Sequence, residues 1–230
     1  MRVDRFLANF PQYNRQQVRV LLAQRSVRVD GLTVTDPRHE VREFSQVEVA
    51  EQVLQAGRAA RYLMLNKPAG CVSATRDPQH PTVLELLPPP LRDDLHIAGR
   101  LDYNTTGLML LTNDGQWSRR LTQPQTKLPK VYHVQTEDEI GAHYIETFRA
   151  GLYFAFEDLT TLPAQLEILG PRNARLAIVE GRYHQVKRMF GHFDNKVIAL
   201  HRERMGPITL DPDLAPGAFR LLTADEIAAV

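Results

Sequence analysis

The 230-residue sequence contains a single cysteine, Cys71, and no long apolar segment. One cysteine excludes an internal disulfide and is typical of proteins in a reducing compartment. No apolar run approaches the roughly 18 residues that a membrane-spanning helix needs. The N-terminus opens with Arg2, Asp4 and Arg5 rather than with the apolar core of a signal sequence. We therefore expect a cytoplasmic protein that does not associate with membranes.

The sequence also lacks the short motifs that bind metals, nucleotides or redox cofactors. It contains no Cys-x-x-Cys pair, no His-Glu-x-x-His and no glycine-rich phosphate loop. The eight histidines are scattered, and His80, His184, His192 and His201 do not have the spacing of metal ligands. We expect neither a metal ion nor a cofactor.

Charge is nearly balanced over the whole chain, at +1, but it is distributed unevenly. Residues 1–30 contain six arginines and only two aspartates, and residues 172–204 contain eight lysines or arginines and three acidic residues. Basic patches on a near-neutral protein are typical of phosphate binding. Aromatic residues make up only 7% of the chain and are not grouped in these segments. We therefore expect recognition of nucleic-acid structure more than of base sequence.

The first 50 residues have the pattern of a small module. Asn14 is a good N-cap for a helix with apolar residues at Val18, Leu21 and Leu22. Asp30-Gly31 is a typical two-residue hairpin turn between short alternating strands. Residues 51–60 are polar and indicate a linker.

Residues 61–230 indicate a second, larger domain. Strands are expected near 61–65, 107–112, 131–136, 163–169 and 175–180, and helices from Asp114, over 138–150, over 184–193 and from Thr223. Cys71 is expected in a strand. Because helices and strands do not alternate strictly, the class is α+β with a mixed, largely antiparallel sheet flanked by helices.

The segment 99–108, GRLDYNTTGL, carries a carboxylate on a turn before an apolar strand. Asp102 follows the cation Arg100 and precedes a polar stretch that leads into residues 108–111. A loop above a rigid sheet is a common position for a catalytic group. An aspartate in such a loop also often closes an Asx turn, so both roles stay open for Asp102 from its position alone.

Four motifs in order resemble those of the pseudouridine synthases that modify ribosomal RNA. They are YLMLNKPAG at 62–70, the segment 99–108, KVYHV at 130–134 and EGRYHQVKRM at 180–189. Segments 77–84 and 201–204 are similar to the branch that acts on the small ribosomal subunit. Residues 1–48 resemble the S4 domain of ribosomal proteins and RNA-modifying enzymes. The resemblance implies an S4-like RNA-binding domain at 1–50, a linker at 51–60 and a pseudouridine synthase domain at 61–230.

The resemblance also implies roles for three residues. Asp102 corresponds to the nucleophile, Tyr132 to the active-site tyrosine and Lys187 to the basic residue opposite the nucleophile, with Arg188 as the alternative to Lys187. A carboxylate in a dry site needs such a cation to stay ionised. Attack at C1′ of the ribose, attack at C6 of the base and glycal formation all stay open. From pattern alone, Tyr132 also fits a core residue and Lys187 a phosphate contact.

Six further side chains are expected to contact RNA: Arg15, Arg19, Arg100, Arg182, His184 and Arg188. The motif around Lys67 is expected to be scaffolding. The implied substrate is 16S ribosomal RNA, at the uridine equivalent to position 516, or a small-subunit assembly intermediate, and the protein is expected to be a monomer. The alternatives are a large-subunit (23S) pseudouridine synthase and a non-catalytic S4-type RNA-binding protein. A hydrolase built on Asp102 would need a paired carboxylate or histidine, and the neighbouring sequence offers none.

Overall fold

The computed structural model describes residues 1–230 as two units with separate apolar cores, Met1–Ala60 and Arg61–Val230. None of the helices in either unit is long and apolar enough to cross a bilayer. The elements of the first unit are α1 Val3–Ala8, α2 Arg15–Ala23, β1 Val27–Val29, β2 Leu32–Thr33, β3 Val47–Val49 and β4 Gln52–Gln55.

Local sequence signals explain the first unit. The Asn14 side chain accepts hydrogen bonds from the main-chain N–H groups of Gln16 and Gln17, and Gln17 bonds back to the Asn14 N–H, which completes a capping box. Val18 and Leu22 lie one turn apart and are buried in the core. Arg25 adopts the left-handed conformation, at φ 59°, where the helix ends.

The segment expected to be a linker includes a strand. Gln52–Gln55 pairs with β3 and is an edge strand of the four-stranded sheet, whose order is β2-β1-β3-β4. Leu54 packs against the core of this unit, and the Gln55 amide donates to the carbonyls of Arg42 and Ser45. The polar composition hid this strand because an edge strand exposes most of its side chains.

The second unit contains five α-helices, two short 3-10 helices at Val83–Leu86 and Pro124–Thr126, and eleven strands. The helices are α3 Pro89–Arg92, α4 Gly115–Thr122, α5 His143–Ala150, α6 Gln185–Gly191 and α7 Ala224–Ala228. The strands are β5 Tyr62–Lys67, β6 His96–Ala98, β7 Thr106–Thr112, β8 Lys130–Thr136, β9 Tyr153–Phe154, β10 Leu159–Thr160, β11 Gln165–Gly170, β12 Asn173–Ile178, β13 Val197–Met205, β14 Ile208–Thr209 and β15 Phe219–Leu221.

The large sheet of this unit has the strand order β11-β12-β8-β13-β7-β5-β15, and in addition β6 pairs with β7 and β14 pairs with β13. All its pairings are antiparallel except that of β7 with β13. The structure therefore confirms the expected α+β class and mixed, largely antiparallel sheet.

Both faces of the central strands are covered. Along β7, Met109 and Leu111 belong to one core cluster, whereas Leu108 and Leu110 belong to another. Successive side chains of a strand point to opposite faces, so an uninterrupted apolar run is what a sheet buried on both faces requires.

Two further local predictions were wrong. The helix expected over 138–150 begins at His143, because residues before it are bonded elsewhere: the Asp138 N–H donates to the Asn195 side chain and the Ile140 N–H to the Pro171 carbonyl. Cys71 is buried but lies outside the strands, just before the isolated bridge between Val72 and Thr82.

Candidate active site

Asp102 lies on the short turn that connects β6 to β7 and lines a cavity of about 670 Å³. The wall of the cavity is formed by residues of this turn, of β8, of the segment between β12 and α6, of α6 and of β13. Tyr132 enters from β8 and Arg202 from β13, where the two residues are direct neighbours across the ladder. Lys187 enters from α6. Residues far apart in sequence therefore meet around one carboxylate.

Two buried cations hold the main chain of this turn, and we call them the backbone clamp. The Lys67 ammonium donates to the carbonyls of Pro68, Tyr103 and Thr105 at 3.0, 3.2 and 2.9 Å. The Arg202 guanidinium donates to the carbonyls of Gly99 at 2.8 Å, Arg100 at 3.4 Å and Leu108 at 2.9 Å. A buried charge needs such partners, since leaving it unpaired carries a large desolvation penalty.

Ser73 and Gly107 complete the support of the turn. The Ser73 hydroxyl donates to the Leu101 carbonyl at 2.6 Å and accepts from the Leu101 N–H at 2.9 Å. Gly107 has φ +100°, and a Cβ there would lie 2.4 Å from the Arg202 carbonyl oxygen. Only glycine permits both this conformation and the close parallel pairing of β7 with β13.

The Asp102 carboxylate itself faces different partners, which we call the carboxylate partners. Lys187 Nζ lies 3.5 Å from Oδ2, and His184 Nε2 lies 3.6 Å from Oδ1. All three side chains are about one-third exposed. The Asp102 side chain makes no hydrogen bond to the main chain of its own turn, so it does not close an Asx turn.

A buried glutamine fixes the segment that carries the carboxylate partners. The Gln185 amide donates to Glu180 Oε1 at 2.7 Å and its carbonyl accepts from the Arg182 N–H at 3.0 Å. His184, just before α6, adopts a left-handed conformation with φ 48° and ψ 32°. A non-glycine residue in this region carries strain of roughly 1–3 kcal/mol.

Burial shapes the protonation of the nearby lysines. Burial lowers the pKa of Lys67, and the negative charge of Asp102 partly opposes this effect. Burial and the Arg202 charge lower the pKa of Lys130, which also lines the cavity. Lys130, Lys187 and Arg202 all line the cavity that contains Asp102. The structure brings together no group of three side chains suited to hold a metal ion.

The structure brings most of the predicted residues of the second unit to the cavity. Asp102, Tyr132, Lys187, Arg100, Arg182 and His184 all line it. Tyr132 is only 7% exposed, and Arg182 forms an ion pair with Glu180 at 3.1 Å. Arg15 and Arg19 are exposed on α2 of the first unit.

Arg188 has a different environment from the one expected. Its guanidinium binds both carboxylate oxygens of Glu157 at 2.5 and 2.7 Å and lies 3.7 Å from the centroid of the Phe154 ring. Arg188 therefore joins α6 to the β9–β10 hairpin. The cation beside Asp102 is Lys187.

Sequence reasoning missed Arg202, Ser73, Thr105 and Glu157. Arg202 lies in the alternating charged stretch HRERM, where nothing distinguishes a buried arginine from an exposed one. Thr105 lines the cavity and has a buried hydroxyl without a hydrogen-bond partner. The only available signal was that glycines at 99 and 107 bracket the turn, which indicates close packing against another element.

Comparisons with known proteins agree with this arrangement. Residues 61–192 match the RNA pseudouridylate synthase family and residues 1–47 match the S4 domain. The chain is 68% identical over its full length to the Ribosomal small subunit pseudouridine synthase A of Pseudomonas aeruginosa and 46% identical to that of Escherichia coli K12, each covered completely. It is also similar to a crystal structure of a pseudouridylate synthase, with TM-score 0.73, 39% identity and coverage of 100% of this chain and 99% of the other.

Because these alignments cover the whole chain, the similarity includes both units. The matched range of the synthase family contains the Asp102 turn, Tyr132 and the carboxylate partners. The chain thus belongs to the RNA pseudouridylate synthase family, the isomerases that convert uridine to pseudouridine in RNA, and it carries an N-terminal S4 domain.

Proposed function

We propose that this chain converts one uridine of 16S small-subunit ribosomal RNA into pseudouridine, at the position equivalent to 516 of bacterial 16S RNA. The observation that carries the proposal is the Asp102 carboxylate, held on a clamped turn with Lys187 and His184 at 3.5 and 3.6 Å. The names of the full-length relatives from P. aeruginosa and E. coli support the small subunit as the source of the substrate.

In the proposed reaction, Asp102 attacks the flipped nucleotide as a carboxylate nucleophile. The N1–C1′ bond breaks, the uracil turns, C5 bonds to C1′, and the bond between Asp102 and the nucleotide breaks, which regenerates the carboxylate. The proton on C5 leaves and N1 gains one, so the product is an isomer of the substrate and no cofactor is needed. Lys187 places a positive charge 3.5 Å from the carboxylate, and the ring of Tyr132 contacts the uracil in the cavity.

RNA binding is proposed to combine both units. Arg100 and Arg182 line the cavity and are proposed to bind the phosphates next to the target. Arg15 and Arg19 lie one turn apart on the exposed surface of α2, where they are proposed to bind other phosphates of the RNA. Such contacts orient RNA without reading its sequence. The proposed enzyme acts as a monomer in the cytoplasm, on 16S RNA or on an assembly intermediate.

The test is a map of pseudouridines in ribosomal RNA from cells with and without the protein. We expect one 16S uridine, at the position equivalent to 516, to lose its modification in the absence of the protein and to regain it when the gene is returned. Loss from 23S RNA would instead support the large-subunit alternative. Unchanged maps of both RNAs would overturn catalysis on rRNA and leave the non-catalytic RNA-binding alternative.

A further inference from the structure

Two exposed tyrosines lie on the two segments that meet at Asp102. Tyr103 directly follows Asp102 and is 42% exposed. Tyr183 directly precedes His184, one of the carboxylate partners, and is 75% exposed. Large aromatic rings gain free energy from burial, so exposed rings on the residues next to Asp102 and His184 point to an absent partner with a flat face.

Each of these rings is supported by a histidine. The Tyr183 and His184 rings are stacked, with centroids 3.9 Å apart and planes at 20°. The Tyr103 and His80 rings meet edge to face, with centroids 5.4 Å apart. His80 is itself held by Asp77, whose carboxylate accepts from the main-chain N–H of His80 at 2.9 Å and lies 3.3 Å from its ring Nδ1.

The main chain under both tyrosines is fixed. The Tyr103 carbonyl accepts from Lys67 at 3.2 Å and from the Gly70 N–H at 3.0 Å. The Tyr183 carbonyl accepts from the Arg188 guanidinium at 3.4 Å, and the next residue, His184, has a left-handed main chain. Backbone strain that a scaffold maintains at a site is associated with function. Because the main chain that carries the two rings is already ordered, binding a partner against them costs little further conformational entropy.

We propose that Tyr103 and Tyr183 are stacking platforms for the two bases that flank the target uridine in the RNA strand. Extruding a nucleotide leaves its neighbours without a stacking partner, and base–aromatic stacking replaces that contact without regard to base identity. This inference rests on the proposed function. It adds base contacts that the sequence did not indicate, because only the fold brings Tyr183 near Asp102 and Tyr103.

The experiment measures binding of a folded 16S fragment that contains the target, with either flanking base intact or replaced by an abasic nucleotide. The variants are Tyr183→Leu and Tyr103→Leu, with Tyr183→Phe and Tyr103→Phe as matched controls that retain the ring. We expect each leucine variant to bind the intact RNA about 10-fold more weakly and each phenylalanine variant to bind within about 2-fold of the wild type. On RNA abasic at one of the two flanks, the effect of the corresponding leucine variant should disappear.

Equal weakening by a leucine variant on intact RNA and on both abasic RNAs would overturn the proposal, as would no weakening at all. Pseudouridine formation by the wild type is scored separately on the intact fragment. If the wild type binds the fragment without converting it, the proposed function fails, and the binding comparison still decides the stacking platforms. If the wild type does not bind, both fail.

Discussion

The backbone clamp and the carboxylate partners surround the same residue but hold it differently. Lys67 and Arg202 are fully buried and form six hydrogen bonds to main-chain carbonyls, at 2.8–3.4 Å. Lys187 and His184 are partly exposed and lie 3.5 and 3.6 Å from the carboxylate. The position of Asp102 is thus fixed through its backbone, whereas its oxygens stay available to a substrate.

The largest effect is expected where the two sets of contacts meet. Asp102→Asn should lower turnover by at least about 1,000-fold, because an amide of nearly the same shape cannot act as the nucleophile. The free energy of unfolding and the affinity for RNA should change little, since the clamp binds only main-chain atoms. Tritium release from 5-labelled uridine in the 16S fragment measures turnover. Substantial tritium release by this variant would show that Asp102 is not the nucleophile.

Breaking the clamp should affect stability first. Arg202→Met leaves the buried carbonyl of Leu108 and the partly buried carbonyl of Gly99 without the Arg202 donor, so we expect a loss of about 3 kcal/mol in the free energy of unfolding. Arg204→Met is the matched control, because Arg204 is exposed on the same strand and should change stability by less than about 0.5 kcal/mol. Urea denaturation followed by circular dichroism measures both. Equal losses in the two variants would argue against the clamp.

Removing a carboxylate partner should lower the catalytic rate and leave the stability of the protein nearly unchanged. Lys187→Met should lower kcat by about 100-fold and change the free energy of unfolding by less than about 0.5 kcal/mol. Lys196→Met, at an exposed position, controls for the loss of one positive charge. If KM rises while kcat is unchanged, Lys187 is a phosphate contact and not a partner of the nucleophile.

The buried ammonium of Lys67 in the backbone clamp should also make the free energy of unfolding depend on pH. Burial lowers the pKa of Lys67 below its usual 10.5. Between the folded-state pKa and 10.5 the unfolded chain therefore binds this proton and the folded chain does not. The Lys67 contribution to the free energy of unfolding should rise with pH over that window. Urea unfolding from pH 8 to 10.5 should show a steeper rise in the wild type than in Lys67→Met, which retains only the smaller contribution of other groups such as Lys130.

The smallest expected effect is a difference in the free energy of unfolding between variants of two neighbouring threonines at the end of the turn. The Thr106 hydroxyl contacts His201 Nδ1 at 2.8 Å, whereas the buried Thr105 hydroxyl has no partner. Thr106→Val should lower the free energy of unfolding by about 1 kcal/mol, and Thr105→Val by less than about 0.5 kcal/mol, because only the first loses a hydrogen bond. Thermal unfolding of both variants checks this difference. The reverse order would mean that Thr105 has a partner in solution.

Much of the fold could be predicted because its signals are local. The Asn14 cap, the Asp30-Gly31 turn and the apolar run of β7 each depend on a few adjacent residues, and the structure confirms all three. The strand at Gln52–Gln55 could not be predicted, because its pairing with β3 and not its composition stabilises it.

The site was predictable only in part, for a related reason. Asp102, Tyr132 and Lys187 were identified through motif resemblance, and the structure brings them to one cavity. The burial of Arg202 depends on the parallel pairing of β7 with β13, which no local pattern indicates. The Glu157 partner of Arg188 lies 31 residues away in sequence, so the pairing that occupies Arg188 was equally hidden.

The sheet of the second unit also determines when the enzyme can first act during its own synthesis. The contact of Thr106 with His201 spans 95 residues and that of Asn66 with Leu214 spans 148, and β5 acquires its edge partner only with β15. The chain emerges from the ribosome with its N-terminus first, and pairings between residues far apart in sequence form slowly. We therefore expect the nascent chain to complete its S4 domain early, whereas the Asp102 turn is organised only after nearly the whole chain has emerged.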